Sequence, residues 1–323
     1  MSKPGATSAG ATSGVYLRLV LTMIFWGGTF VAGRIATAEI HPVTAASGRF
    51  LLASLLLLLF IYSTEGRLQR LSLRQWGAMA LLGLSGIFAY NLFFFAGLQR
   101  IEAGRGAMII AANPVITTLL AMLFFGERFN LRRSFGICFS AAGALVVISR
   151  GDLLLLFRGE IGAGELCFLG AVLSWTAYTL VGKRVLRAIS PLTAVTYSCL
   201  TGSALLLPTM LLMGKGHELL TLSLRGGGSL LYLAFFGTTL GFIWFYQGVR
   251  ELGAGRAVLF VNLVPVCGVV WGILLLNEGL DLSLLSGGAL VLIGLLLLNY
   301  QPRAQRSAGG SGPTTPSHAA DDL

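Results

Sequence analysis

The sequence predicts an all-α integral membrane protein with ten transmembrane helices in two inverted five-helix repeats, and three observations predict it. The 323-residue chain is 55% hydrophobic and only 11% charged, with mean hydropathy +0.81; that leaves too little polar surface to cover a soluble globule. Apolar stretches of roughly 20 residues, enough to cross about 30 Å of hydrocarbon as helix, recur ten times. One of them, AGRGAMIIAANPVITTLLAMLFFGE (103–127), returns 151 positions later as AGRAVLFVNLVPVCGVVWGILLLNE (254–278).

The spans read in order as 16–36, 43–62, 74–97, 103–125, 132–150, 161–182, 191–213, 226–248, 254–276 and 282–300. Residues 1–15 are small and polar and are expected to be disordered. No small-residue cleavage site follows the first span, so a removable signal peptide is not expected. The first repeat takes 16–150 and the second 161–300. Residues 301–323, rich in Ser, Gly, Pro and Ala without periodicity, are expected to be a disordered tail.

The repeat reaches beyond its best-matched segment. At the same offset Gly86, Gly97, Gly136 and Gly143 match Gly237, Gly248, Gly287 and Gly294. At an offset of 149, Trp26, Gly33, Arg34 and Pro42 match Trp175, Gly182, Lys183 and Pro191. Five spans repeat, and an odd number per half turns the second copy upside down. Charge agrees with the inversion. With the N-terminus in the cytoplasm, fifteen of the 23 Lys and Arg residues fall on the inner side and seven on the outer, with Arg49 inside the second span. Positive-inside asymmetry therefore places both termini in the cytoplasm. Inverted repeats suit secondary transporters, whose similar halves exchange conformations to open alternately.

FWGGTF (25–30), the following HP (41–42) and GRF (48–50), and the two AGR…P…E segments carry a resemblance. Over about residues 16–300 the chain resembles the EamA family of the drug/metabolite transporter superfamily. The resemblance implies ten helices in inverted repeats in the cell (inner) membrane, and export of amino acids and other metabolites. It does not specify a substrate.

Candidate site residues follow from what lies at mid-membrane. Pro114 and Pro265 remove one backbone hydrogen bond each and free the carbonyls of Ile110 and Val261. Two such breaks related by pseudo-symmetry point to a binding site and to hinges, although a permanent packing kink is as good a reading. Asn113 beside the first Pro and Asn262 near the second offer donors and acceptors to a zwitterion or hydroxyl; interhelical glue is the plainer role. Tyr90, Asn91 and Phe94 in AYNLFFF, and Trp244 in GFIWFYQG, sit on corresponding third helices and suit an amphipathic cavity. An interfacial aromatic belt is the competing account of Trp244. Trp26 and Trp175 lie well inside the first helix of each half, and Trp175 shares a helix face with Tyr178.

Charges and absences narrow the function. No Asp or Glu lies in the middle of a span, since Glu127 and Glu278 end helices and Glu165 starts one. A carboxylate proton relay is therefore missing, which favours facilitated movement of a neutral or zwitterionic solute over proton-coupled multidrug export. Arg49, costly inside the membrane by about 2.5–3.5 kcal/mol, is expected to snorkel or to meet carbonyl groups or Glu39; contact with a substrate carboxylate is the alternative. His41, His217 and His318 lie in loops or the tail, and the four Cys have unrelated spacings, so neither a metal nor a disulfide framework is expected. No cofactor loop or nucleophile elbow appears, so the chain does not read as an enzyme. The net charge of +10 is scattered among loops, which speaks against nucleic acid as a partner.

Glycine supplies 43 residues, about twice the ordinary share of roughly 7%. Gly136 and Gly143, like Gly287 and Gly294, lie seven apart on one helix face and read as packing seams. The expected partners are a small-molecule substrate and lipid, with the chain a monomer or homodimer. The leading expectation is an alternating-access exporter of small amphipathic metabolites, amino acids including aromatic ones foremost. Alternatives are a sugar-phosphate or nucleotide-sugar exchanger, a multidrug exporter, and a non-transporting receptor or scaffold.

Overall fold

The computed structural model describes residues 9–125, 131–152, 154, 158, 161–186 and 188–299, and the regular elements among them are all helical. Ten rods cross the molecule: α1 (Ala9–Glu39), α2 (Pro42–Glu65), α3 (Leu73–Leu98), α4 (Ala103–Ala111, then Asn113–Phe125), α5 (Leu131–Ile148), α6 (Ala163–Val185), α7 (Pro191–Leu212), α8 (Leu224–Leu252), α9 (Ala254–Val261, then Leu263–Leu276) and α10 (Leu282–Asn299). With an even number of crossings among the described residues, the start of α1 and the end of α10 lie on one side, here called the termini face, opposite a far face.

Local chemistry starts the rods. The His41 ring nitrogen Nδ1 accepts from the Val43 N–H at 3.2 Å, and Pro42 takes the first helical position, where no N–H is needed. Ser190 and Pro191 do the same for α7, the equivalent helix of the second repeat. Ser72 and Gln75 form a reciprocal cap on α3. α1 begins at Ala9, inside the segment expected to be disordered. Ala9 and Ala11 are good helix formers, and Val15 and Leu19 are buried, so packing of the first full turns lets the helix extend backwards.

The halves meet through equivalent residues. Ser54 and Ser203, 149 positions apart, share a hydrogen bond at 3.2 Å between α2 and α7, as residues do when a two-fold axis passes between them. α5 and α10 run antiparallel along the predicted glycine seam. A Cβ on Gly143 would stand 2.5 Å from the Gly287 carbonyl oxygen, and one on Gly294 would stand 2.6 Å from the Gly136 carbonyl oxygen. Such backbone approach is how helices associate where lipid is as apolar as the interface. The core is built the same way: Phe168 of α6 is fully buried in a recess floored by Gly97 and Gly106, where a Cβ would come within 2.7 Å and 2.3 Å of its ring.

Neither Pro kinks a continuous helix. α4 is interrupted at Ala112, whose N–H donates to the Ile109 carbonyl at 3.1 Å while its own carbonyl accepts from Val115 at 3.0 Å. α9 is interrupted at Asn262. Pro114 and Pro265 thus stand in the first turn of a new helix, where their missing N–H has no partner to lose. Glu127 lies outside the described residues.

Candidate functional site

The long third helices of the two halves carry the same irregularity. Gly83–Ala89 in α3 and Phe235–Leu240 in α8 widen into turns closed by bonds five residues apart, a geometry that concentrates at functional sites. Side chains help to close them. Asn91 Nδ2 donates to the carbonyls of Gly86 (3.3 Å) and Ile87 (2.9 Å). Thr238 and Thr239 donate to carbonyls five residues back, those of Leu233 and Ala234, both at 3.0 Å.

Arg49 of α2 joins the two widened turns. It is 8% exposed, its Nη1 donates to Asn91 Oδ1 and its Nε to Thr238 Oγ1, both at 3.1 Å. Its guanidinium also lies 4.9 Å from the Phe50 ring centre. The expectation that Arg49 snorkels or meets Glu39 is corrected. Glu39 instead accepts from the Ser223 hydroxyl at 2.7 Å and N–H at 3.0 Å, at the start of α8. Arg49 is drawn inward because two side-chain acceptors, 42 and 189 positions away in the chain, are presented to it by distorted backbone.

The predicted aromatic residues separate into three groups. Tyr90 stacks on Phe94 (5.6 Å between ring centres) and touches Trp175 (5.1 Å), which touches Tyr178 (5.0 Å). Trp26 packs with Phe242 (5.6 Å) and Phe245 (5.3 Å), and Phe242 stacks on Tyr246. Trp244 sits apart against Phe25 at 5.9 Å. Asn91 thus binds Arg49, next in sequence to Tyr90, while Asn113 lies at the α4 interruption. Its Oδ1 accepts from Thr117 (2.9 Å) and Thr176 (3.3 Å), and its buried Nδ2 has no protein partner. Asn262 is half-buried at the α9 interruption.

A clasp that sequence reading missed holds the far face. Glu278 accepts from the first N–H groups of α4, Ala103 at 2.7 Å and Gly104 at 2.9 Å, and pairs with Arg34 at 3.1 Å. A carboxylate at a helix N-terminus satisfies free donors and complements the dipole. Beside it the buried Arg105 donates to the Val147 carbonyl at 2.6 Å and pairs with Asp281. Burial works to raise the Asp281 pKa, yet the Ser283 hydroxyl, the Leu284 N–H and Arg105 hold it below the usual carboxylate value. The sequence signal for this clasp is Glu278, one of the two helix-ending Glu residues of the repeat.

The repeated segments pack unequally. In the first half of α4, every residue from Ala103 to Ala111 except Ile110 is buried. In the corresponding first half of α9, Val258 is 43% and Leu259 39% exposed.

Comparison with known proteins decides the family: the model of the EamA-like transporter family matches twice, over residues 13–149 and 162–300. The chain belongs to the EamA-like transporter family. Among its relatives is an uncharacterized transporter, YyaM, of Bacillus subtilis (strain 168), 30% identical, with 87% of this chain and 92% of that protein covered. A "probable terminal-alkyne amino-acid exporter" of Streptantibioticus cattleyicolor is 27% identical over 89% of this chain and 94% of its own. A solved crystal structure matches with a TM-score of 0.60 and 18% identity over 88% of this chain and 97% of that one, a likeness of fold.

Proposed function

We propose that this EamA-like transporter exports small amphipathic metabolites, amino acids and aromatic ones foremost, by facilitative alternating access across the cell membrane, with both termini in the cytoplasm. The observation that carries the reading is the unequal packing of two equivalent segments. Inverted repeats in identical environments would be symmetric; one clasped and one exposed copy is what a transporter caught in one of two exchanging states displays. The exporter named among its relatives and the Tyr90–Phe94–Trp175–Tyr178 ring chain support an aromatic-tolerant substrate class. In this reading Trp26, Asn113 and Asn262 contribute to the same path, Trp244 guards its edge, and the interruptions before Pro114 and Pro265 are where α4 and α9 bend.

Facilitative movement is supported by the placement of acids. Within the described spans, buried Glu165 is tied to Arg150 at 3.1 Å near the far-face end of α6, so its charge is engaged in a pair. Exchange of phosphorylated sugars would want several free cations inside, and Arg105 is neutralised by Asp281. Uptake of labelled Phe, Trp, Thr and Met into proteoliposomes, with and without a pH gradient, tests the reading. Saturable flux of at least one, unchanged by the gradient, is expected; no flux of any of the four would refute the amino-acid assignment, and strict proton dependence the facilitative one.

A further inference from the structure

Four carboxylate pairs stand among the described residues: Arg34 with Glu278, Arg105 with Asp281, Arg150 with Glu165, and Lys215 with Glu218. None involves Arg49. Around it stand the Asn91 and Thr238 side chains and the Phe50 ring, none of them an acid. Arg49, 8% exposed and about 10 Å below the end of α2 by helical rise, therefore has no carboxylate partner among the described residues. Burying an unpaired charge is expensive unless a partner arrives.

Several further features bear on what that partner is. Arg49 Nη2 donates to none of the described residues and faces Gly237, where a Cβ would come to 3.8 Å of it. The equivalent position in the second repeat is Ser198, which bonds its own helix at the Ala194 carbonyl, so the charge is absent from the other half and symmetry does not demand it. Tyr90, next in sequence to the Asn91 that Arg49 binds, begins the aromatic chain that runs to Tyr178. A single cation beside a row of rings fits a monoanion with an apolar body.

We infer that Arg49 is a carboxylate anchor: the substrate's carboxylate takes the free donors of the guanidinium, while Asn91 and Thr238 hold its plane and the Tyr90–Trp175 rings receive the substrate's side chain. Arg forks suit carboxylates because two parallel N–H donors match two oxygens. This rests on the transporter reading above and adds a condition to it, namely that the acid group is required and the amino group is not.

The test is ligand-induced melting of the purified full-length protein with matched compounds: L-phenylalanine against L-phenylalaninamide and phenethylamine, 3-phenylpropionate against its amide, and L-leucine against L-leucinamide. Ligands of the folded state raise its melting temperature. The acids are expected to stabilise, and the amides and the amine to need at least tenfold higher concentration for the same shift. Arg49→Gln is expected to erase the difference and Arg49→Lys to keep part of it; if Arg49→Gln does not fold, the wild-type series decides alone. Stabilisation by 3-phenylpropionate without phenylalanine or leucine would uphold the anchor while removing the amino-acid assignment. Amides or the amine matching the acids, or no acid of the series binding, would overturn the anchor.

Discussion

Glu218, in the short helical turn Gly216–Leu220 between α7 and α8, shows what one carboxylate does at a helix start. It accepts from the His41 N–H and the Thr44 hydroxyl, each at 2.7 Å, and pairs with Lys215 at 3.1 Å. It thereby ties the second repeat to the first turn of α2. Burial acts to raise its pKa, but these bonds outweigh it and hold the group below its usual value. A carboxyl lowered by folding stabilises fully above its unfolded pKa, about 4.3, and loses that contribution as pH falls through the lower folded value. Acid should therefore lower the melting temperature of the wild type more steeply below about pH 4 than that of Glu218→Gln; equal slopes would contradict the assignment. At neutral pH Glu218→Ala should cost about 1–3 kcal/mol, the range for stranding buried donors, measurable by chemical unfolding in detergent.

At the scale of helices, the α5–α10 seam makes a sharper claim than helix propensity alone. Gly143→Ala places a methyl 2.5 Å from the Gly287 carbonyl oxygen and should destabilise by about 1–3 kcal/mol. Gly77 in α3 has nothing within 4 Å of its added methyl, so Gly77→Ala should stabilise by about 0.5–1 kcal/mol. Denaturant midpoints of both variants check the pair; destabilisation by both would refute the packing account. This seam was legible in sequence because two glycines seven apart mark a helix face wherever they occur. His–Pro and Ser–Pro also carry cap chemistry that could have placed the starts of α2 and α7. The widened turns of α3 and α8 were not legible, since no residue type prescribes a five-residue closure, and Asn91 and Thr238 close them only in three dimensions. Arg49 was visible as an intramembrane charge, yet its partners come from distant helices. The aromatic candidates were recognisable as a class, but composition did not separate the Trp175 chain from Trp244 against Phe25.

At the scale of the whole molecule, duplication explains both the likeness and the difference of the halves. The same segment that Glu278 clasps in α4 recurs, inverted, in α9, where Val258 and Leu259 are exposed. If the halves exchange these roles, closure at one face accompanies opening at the other. Distances between spin labels in a cysteine-free background measure this most directly, with one pair at Arg100 and Leu280 on the far face and one at Leu186 and Arg256 on the termini face, all exposed positions. Saturating transported substrate on both sides of the membrane should add a longer far-face distance and a shorter termini-face distance to the populations seen without it. Two pairs that stay fixed, or that lengthen or shorten together, would contradict alternating access by the inverted repeats.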